Sequence, residues 1–305
     1  MVKSLYVISD THDDLEATAR AIDYAKSEGR DNSMIIHAGD LSLRPYTRES
    51  LDKLERTRDV KTFLDEKRRH NDGILKGYKE IFDASGMGYL VVPGNYDGDL
   101  GHIFSERDIH NKSQMFGGIK VAGYGAGGNL DAEWIGPEHM EFLARKGEIK
   151  MFNPKELSDL LKTEAPDIAV IHNPPYGFCD DMFNGRHVGT PTTTRYMRQE
   201  NNLKLVLSGH IHEAGPNGNN PNGVRGLSGI EREDGGKVLV VNPGNLGRFA
   251  LLSSETLEPV MEFDYGTFVR VDVEDDGSPT KVTQYSVQED NRSIGQVRKL
   301  REIKV

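Results

Sequence analysis

Residues 5–12 read Leu-Tyr-Val-Ile-Ser-Asp-Thr-His, a short apolar run that ends abruptly in a carboxylate and an imidazole two positions apart. The first four residues have the length and β-branched character of a buried strand. Residues two apart on extended chain project to the same side, so Asp10 and His12 can reach one ion. An isolated Asp-x-His is weak, because a capping aspartate and a surface histidine give the same letters. Its weight comes from repetition along the chain. Further apolar runs at 34–36, 89–92, 119–122, 168–171, 203–207 and 238–241 also read as buried strands, and most end at a polar or glycine signal. Gly39-Asp40 follows the second run, Gly94-Asn95-Tyr96-Asp97 the third, His172-Asn173-Pro174-Pro175 the fifth and Gly209-His210-Ile211-His212 the sixth. Asn242-Pro243-Gly244-Asn245 closes the seventh. Open α/β sheets place their sites at such strand exits.

Helical patterns lie between several of these runs. Leu15, Ala19 and Ile22 are spaced i, i+4, i+7 behind the N-cap candidates Asp13 and Asp14, and Gly29 stops the pattern. Asn153, Pro154 and Glu156 form a helix start ahead of Leu157, Leu160 and Leu161. Strands alternating with helices define an α/β class. A helical insertion at about 44–86 reads as two helices broken near Asn71 to Gly73. Its basic residues, Arg44, Arg48, Lys53, Arg56, Arg58, Lys61, Lys67, Arg68 and Arg69, are interleaved with acids, as on a solvated face. The insertion lengthens the interval between Asp40 and Asn95, and a lid, a dimer contact in a homo-oligomer and a specificity element are equal readings of it. Residues 213–236, dense in Gly, Asn and Pro, read as a long surface loop. A C-terminal β-meander is expected at about 260–288, with breaks at Tyr265-Gly266 and Asp276-Gly277; beyond it the pattern is silent. One domain spans 1–305 on this reading.

Composition narrows the chemistry. The 305 residues carry a formal charge of −10, which disfavours long nucleic acids as partners. No apolar run approaches the length of a membrane span, and the N-terminus lacks the pattern of a secretory signal. The single cysteine, Cys179, excludes a disulfide framework and a thiolate-rich zinc site, and favours a reducing, cytoplasmic setting. Metal chemistry must then rest on imidazole, carboxylate and amide donors, drawn in part from ten histidines.

The ordered set D-x-H, G-D, G-N-x-D, H-x-P-P, G-H-x-H and N-P-G, from Ser4 to about Asn245, resembles the calcineurin-like metallophosphoesterase superfamily, in particular its small bacterial and archaeal phosphodiesterases. The resemblance implies a four-layer αββα sandwich with two divalent metal ions at the strand ends. Asp10, His12, Asp40 and His212 would hold the first ion. Asp40, Asn95, His172 and His210 would hold the second, with Asp40 bridging. Manganese is the expected metal, with Fe, Zn, Ni and Mg as alternatives. The implied reaction is hydrolysis of a small phosphate ester, chiefly a diester, by a hydroxide bridging the ions. A nuclease of the same superfamily and an inactive interaction scaffold of the same fold are the alternatives; the mixed charge pattern disfavours the first and the full set of donors the second.

One position departs from the family pattern. Tyr96 stands where a histidine is usual, and a phenol with a pKa near 10 donates a hydrogen bond but is a poor proton donor at neutral pH. Tyr96 and Asp97 are therefore candidates for hydrogen bonding near the phosphate. His187 and Arg195, between the Asn-Pro-Pro turn and the next strand, are candidates for substrate contact. His37 reads as a packing residue beside Asp40, Asn242 as a hydrogen-bond partner to a ligand, and His70, His102, His110 and His139 as surface residues. The run Gly123-Tyr-Gly-Ala-Gly-Gly reads as a site loop, since it matches no dinucleotide fingerprint at a strand-to-helix turn.

Overall fold

The computed structural model describes residues 3–29, 31–42, 48–127, 137–199, 201–218, 225–232, 234–252, 259–263, 265–287 and 297–305. The strands are β1 (Lys3–Ile8), β2 (Ser33–His37), β3 (Gly88–Val91), β4 (Lys112–Phe116), β5 (Ile119–Tyr124), β6 (Ile168–Ile171), β7 (Leu205–Leu207), β8 (Leu227–Glu231), β9 (Lys237–Val241), β10 (Phe249–Leu252), β11 (Pro259–Phe263), β12 (Gly266–Val273), β13 (Pro279–Val287) and β14 (Val297–Lys304). The helices are α1 (Leu15–Glu28), α2 (Arg48–Thr57), α3 (Val60–Ser85), α4 (Gly101–Phe104), α5 (Pro137–Arg145), α6 (Pro154–Glu164) and α7 (Pro191–Arg198).

Two six-stranded sheets form, in the orders β14-β13-β12-β1-β2-β3 and β4-β5-β6-β7-β9-β8. β1, β2 and β3 run parallel, as do β5, β6, β7 and β9. The alternation inside β1 explains the layering. Leu5 and Val7 face the second sheet, meeting a core with Val121, Val170 and Leu207. Tyr6 and Ile8 face the other way, onto Ala21 and Ile22 of α1 and Tyr78 and Phe82 of α3. On the far side, Ala169, Ile171 and Val206 pack against Leu157 and Leu161 of α6 and Met197 of α7. The fold is thus the expected four-layer αββα sandwich, and strands buried on both faces read as continuous apolar runs.

Several elements differ from the sequence reading. The insertion breaks at Arg58-Asp59, and α3 runs unbroken through Asn71 to Gly73. Arg58 takes a left-handed φ of 53°, and the Asp59 side chain caps α3 by accepting from Thr62 N at 3.1 Å. Residues 43–47, which include Arg44, lie outside the described residues. The meander is β12-β13-β14, whereas β11 pairs with β10 in a separate ribbon. The stretch read as a loop contains β8, and residues 219–224 and 233 of it lie outside the described residues. β4 and β8 are sheet edges, so their half-wet sequences carry no continuous apolar signal. No described helix is long and apolar enough to cross a membrane.

Candidate metal centre

The parallel strands β1, β2, β3, β6 and β7 deliver their following loops to one end of the sandwich. The first two loops are stitched together: Asp10 N donates to Gly39 O at 2.9 Å, Thr11 N to Asp40 O at 2.9 Å and His12 N to Asp40 O at 3.2 Å. This pairing overturns the expectation that Asp10 and His12 converge on extended chain. Asp10, His12, Asp40 and His210 have φ of 51°, 44°, 56° and 67°, so tight left-handed turns aim the side chains. Non-glycine residues in that region gather where surrounding structure holds them for function.

Two groups of donors result. Asp10, His12 and His212 place ligand atoms within 4.8 Å of one another, and so do Asp40, His172 and His210. In the first, His212 Nε2 lies 3.0 Å from Asp10 Oδ1 and 3.4 Å from His12 Nε2. In the second, His172 Nε2 and His210 Nδ1 each lie 3.0 Å from Asn95 Oδ1, and His172 Nε2 lies 3.5 Å from Asp40 Oδ2. The His172 Nδ1–H donates to Ala38 O at 2.7 Å, which leaves the Nε2 lone pair facing the group.

The donor chemistry fits divalent cations. Asp10 and Asp40 are 0% and 1% exposed, and no described lysine or arginine pairs with either. Burying charge without a strong counter-charge is costly. Burial works to raise both carboxyl pKa values, yet His212 at Asp10 and His172 at Asp40 outweigh it and hold both below the usual range. Burial disfavours the His172 imidazolium, but the Asp40 carboxylate lifts its pKa to about 9, a proton that a cation would displace. Burial pushes His210 down to about 3, and its buried Nε2 has no hydrogen-bond partner.

The motif glycines make this convergence sterically feasible. A Cβ at Gly94 would overlap the Asp40 carboxylate, and one at Gly209 would overlap Ser9 Oγ and stand 2.5 Å from Asp10 Oδ2. The glycine run after β5 lies against the site, since a Cβ on Gly127 would be 2.6 Å from Asn95 Cβ and 3.0 Å from His210 Cε1. Gly128, in the same run, lies outside the described residues.

Asp97 accepts from Leu41 N at 3.0 Å, Ser42 N at 3.1 Å, Ser42 Oγ at 3.0 Å and Gly94 N at 2.9 Å. It is a buried clasp between the β2 and β3 loops, with its pKa raised by burial and by Asp40. Tyr96 N donates to Asp40 Oδ1 at 2.9 Å, and the Tyr96 ring stands edge-on to His12 at 6.1 Å. His37 Nδ1 accepts from Gly39 N at 3.2 Å while its ring packs on Tyr78. Burial pushes its pKa down to about 3, in keeping with a neutral packing role. The Asn242 amide donates to Gly209 O at 3.3 Å and Ile211 O at 3.0 Å, holding the backbone around His210. Arg195 lies on the exposed face of α7 and bonds back to Pro191 O, so it joins neither group.

His110 differs from the surface role expected of it: it is part-buried, its Nδ1 accepts from Gly125 N at 2.9 Å, and burial lowers its pKa to about 4. His70 and His102 are exposed and paired with Asp13 and Asp72. The side chain of His139 lies outside the described residues. Phe263, edge-on to His212 at 5.9 Å, escaped the sequence reading because no motif marks a ribbon that folds back on the site.

A family model described as calcineurin-like phosphoesterase matches residues 3–214. The chain belongs to that family. No curated protein matches it. One solved structure superposes with a TM-score of 0.57 at 15% identity, covering 85% of this chain and 97% of the other. NAD nucleotidase from Haemophilus influenzae gives 0.49 at 11% identity, over 99% of this chain and 54% of that one. A hypothetical protein from Thermus thermophilus gives 0.46 at 12% identity, over 95% and 100%.

Proposed function

We propose that this chain is a metal-dependent phosphoesterase that hydrolyses a small phosphate ester, preferring diesters, at a centre of two divalent ions. The observation that carries this reading is the pair of donor groups built on two buried carboxylates that lack a lysine or arginine partner among the described residues. Asp10, His12, Asp40 and His212 would hold one ion, and Asp40, Asn95, His172 and His210 the other, with Asp40 shared. The nitrogen and oxygen donors suit manganese. Bound cations would neutralise phosphoryl charge and lower the pKa of water for attack at phosphorus. The protein orients the ester: the Tyr96 hydroxyl donates to a phosphoryl oxygen, and Asp97 keeps Asn95 and Asp40 in register by tying their loops together. The lone buried Cys179 accords with a reducing, cytoplasmic setting.

The test is to strip the protein with chelator, reload it with Mn, Ni, Zn or Mg, and assay p-nitrophenyl phosphate against bis(p-nitrophenyl) phosphate. The diester is expected to turn over faster, and Asp40→Asn to abolish both activities along with stoichiometric metal in elemental analysis. Hydrolysis of neither ester, with no metal bound, would overturn the reading.

A further inference from the structure

The loop between β6 and α7 brings Asp180, Asp181 and His187 together apart from the two buried groups, their ligand-type atoms likewise within 4.8 Å of one another. Asp180 is fully buried; its Oδ1 lies 2.8 Å from His187 Nδ1, and its Oδ2 accepts from Gly189 N at 2.8 Å. Asp181 Oδ1 lies 3.4 Å from the same Nδ1. This arrangement fixes the ring with its Nδ1–H donated to carboxylate and its other nitrogen outward. The His187 side chain is 40% exposed, and its Nε2 makes no hydrogen bond among the described residues.

The pair is fastened to the centre from two sides. Thr190 N donates to Pro174 O at 2.7 Å and Tyr176 N to Thr190 O at 3.1 Å, closing the loop two residues after His172. The Asn242 amide that holds Gly209 O and Ile211 O also donates to Cys179 O at 3.3 Å, next to Asp180. Phe183 N donates to Glu213 Oε1 at 3.3 Å, beside His212. The loop that presents His187 is therefore built onto the loop that carries His210 and His212.

We propose that His187 is the proton donor to the leaving group, a task to which the Tyr96 phenol is poorly suited at neutral pH. The assignment rests on the phosphoesterase reading. As an oxygen from water bonds to phosphorus, the P–O bond to the leaving group breaks, and its electron pair stays on the departing oxygen. That oxygen takes the proton from His187 Nε2, while the attacking water gives up a proton to solvent. His187 ends as neutral imidazole, still donating Nδ1–H to Asp180, and is reprotonated from solvent. The hydrogen bond to Asp180 raises the imidazolium pKa above 6.5 against the opposing effect of burial, and the charges of Asp180 and Asp181 add to the rise. Among the described residues, the surroundings of His187 also include Tyr176, whose ring is 5.7 Å from that of His187, Glu213 on the adjoining turn, and the exposed Arg186 next in sequence.

Methyl phenyl phosphate and methyl p-nitrophenyl phosphate test the assignment, because they match in size and differ in leaving-group basicity. His187→Gln is expected to lower kcat on the phenyl ester about 100-fold, and on the p-nitrophenyl ester by less than about threefold. An acid must be protonated to act, so wild-type activity on the phenyl ester falls as pH rises through the His187 pKa. His187→Gln should erase that limb, and Asp181→Asn should move it to lower pH. A titration of the His187 ring by NMR should give the same midpoint without reference to turnover. Equal losses on both esters, or an unchanged alkaline limb, would overturn the assignment alone. Absence of wild-type hydrolysis of either ester would overturn the phosphoesterase reading and the assignment with it.

Discussion

Asp10 and Asp40 set the terms of the site, because each carboxylate is withdrawn from water among imidazoles and backbone N–H groups, with no lysine or arginine paired to it among the described residues. The same crowding explains why small changes nearby should be severe. In Gly94→Ala the new methyl would occupy the place of the Asp40 carboxylate, so metal content should fall below one ion per chain and kcat/KM by more than about 100-fold, a displacement of order 1 Å being enough for such a loss. Elemental analysis with circular dichroism would separate that outcome from unfolding. The donors were legible in the sequence because their chemistry is carried by residue type and by position after an apolar run. Their backbone geometry was not: nothing in Asp-Thr-His announces φ of 51° at Asp10 and 44° at His12, which arise from hydrogen bonds to a loop about thirty residues away. Asp180 escaped for a similar reason, as its partner His187 is met only once the loop closes.

Among the elements, α3 shows most clearly where local signals mislead. Asn71 to Gly73 reads as a break, yet Asn71 is buried under the helix and Gly73 sits on its exposed face with nothing within 4 Å of a would-be Cβ. Burial of Leu75, Tyr78 and Phe82 against β1, β2 and β3 outweighs the ~1 kcal/mol cost of a mid-helix glycine. Gly73→Ala should therefore stabilise the fold by about 0.5–1 kcal/mol in a urea titration, with activity unchanged. A true break there would make the same substitution neutral or harmful. The buried strands were legible as apolar runs, whereas β14 was not: most of its residues are exposed, and its identity depends on pairing with β13 rather than on its own pattern. The caps of α1 and α6 were legible, since Asp14 and Asn153 each accept from the first turn of their helix as their positions predict.

For the whole molecule, the net charge of −10 and the two buried carboxylates point the same way, towards a fold that gains stability from cations. At a hundredfold excess over Kd, Mn should add about 2.7 kcal/mol. By differential scanning fluorimetry this corresponds to a rise in Tm of roughly 4 °C, absent in Asp40→Asn. The sheet order has a consequence of another kind, in time rather than space. β1 lies between β2, which follows it closely, and β12, whose register pairs Lys3 with Val273. Asp10 meets His212 across 202 positions of sequence. During synthesis the first strand must wait, half-paired, until Gly266–Val273 emerges, and neither donor group can close before residues 210–212 have appeared. Metal loading is thereby confined to the time after residues 210–212 have joined, and a chain interrupted before them would have little means of retaining its ions.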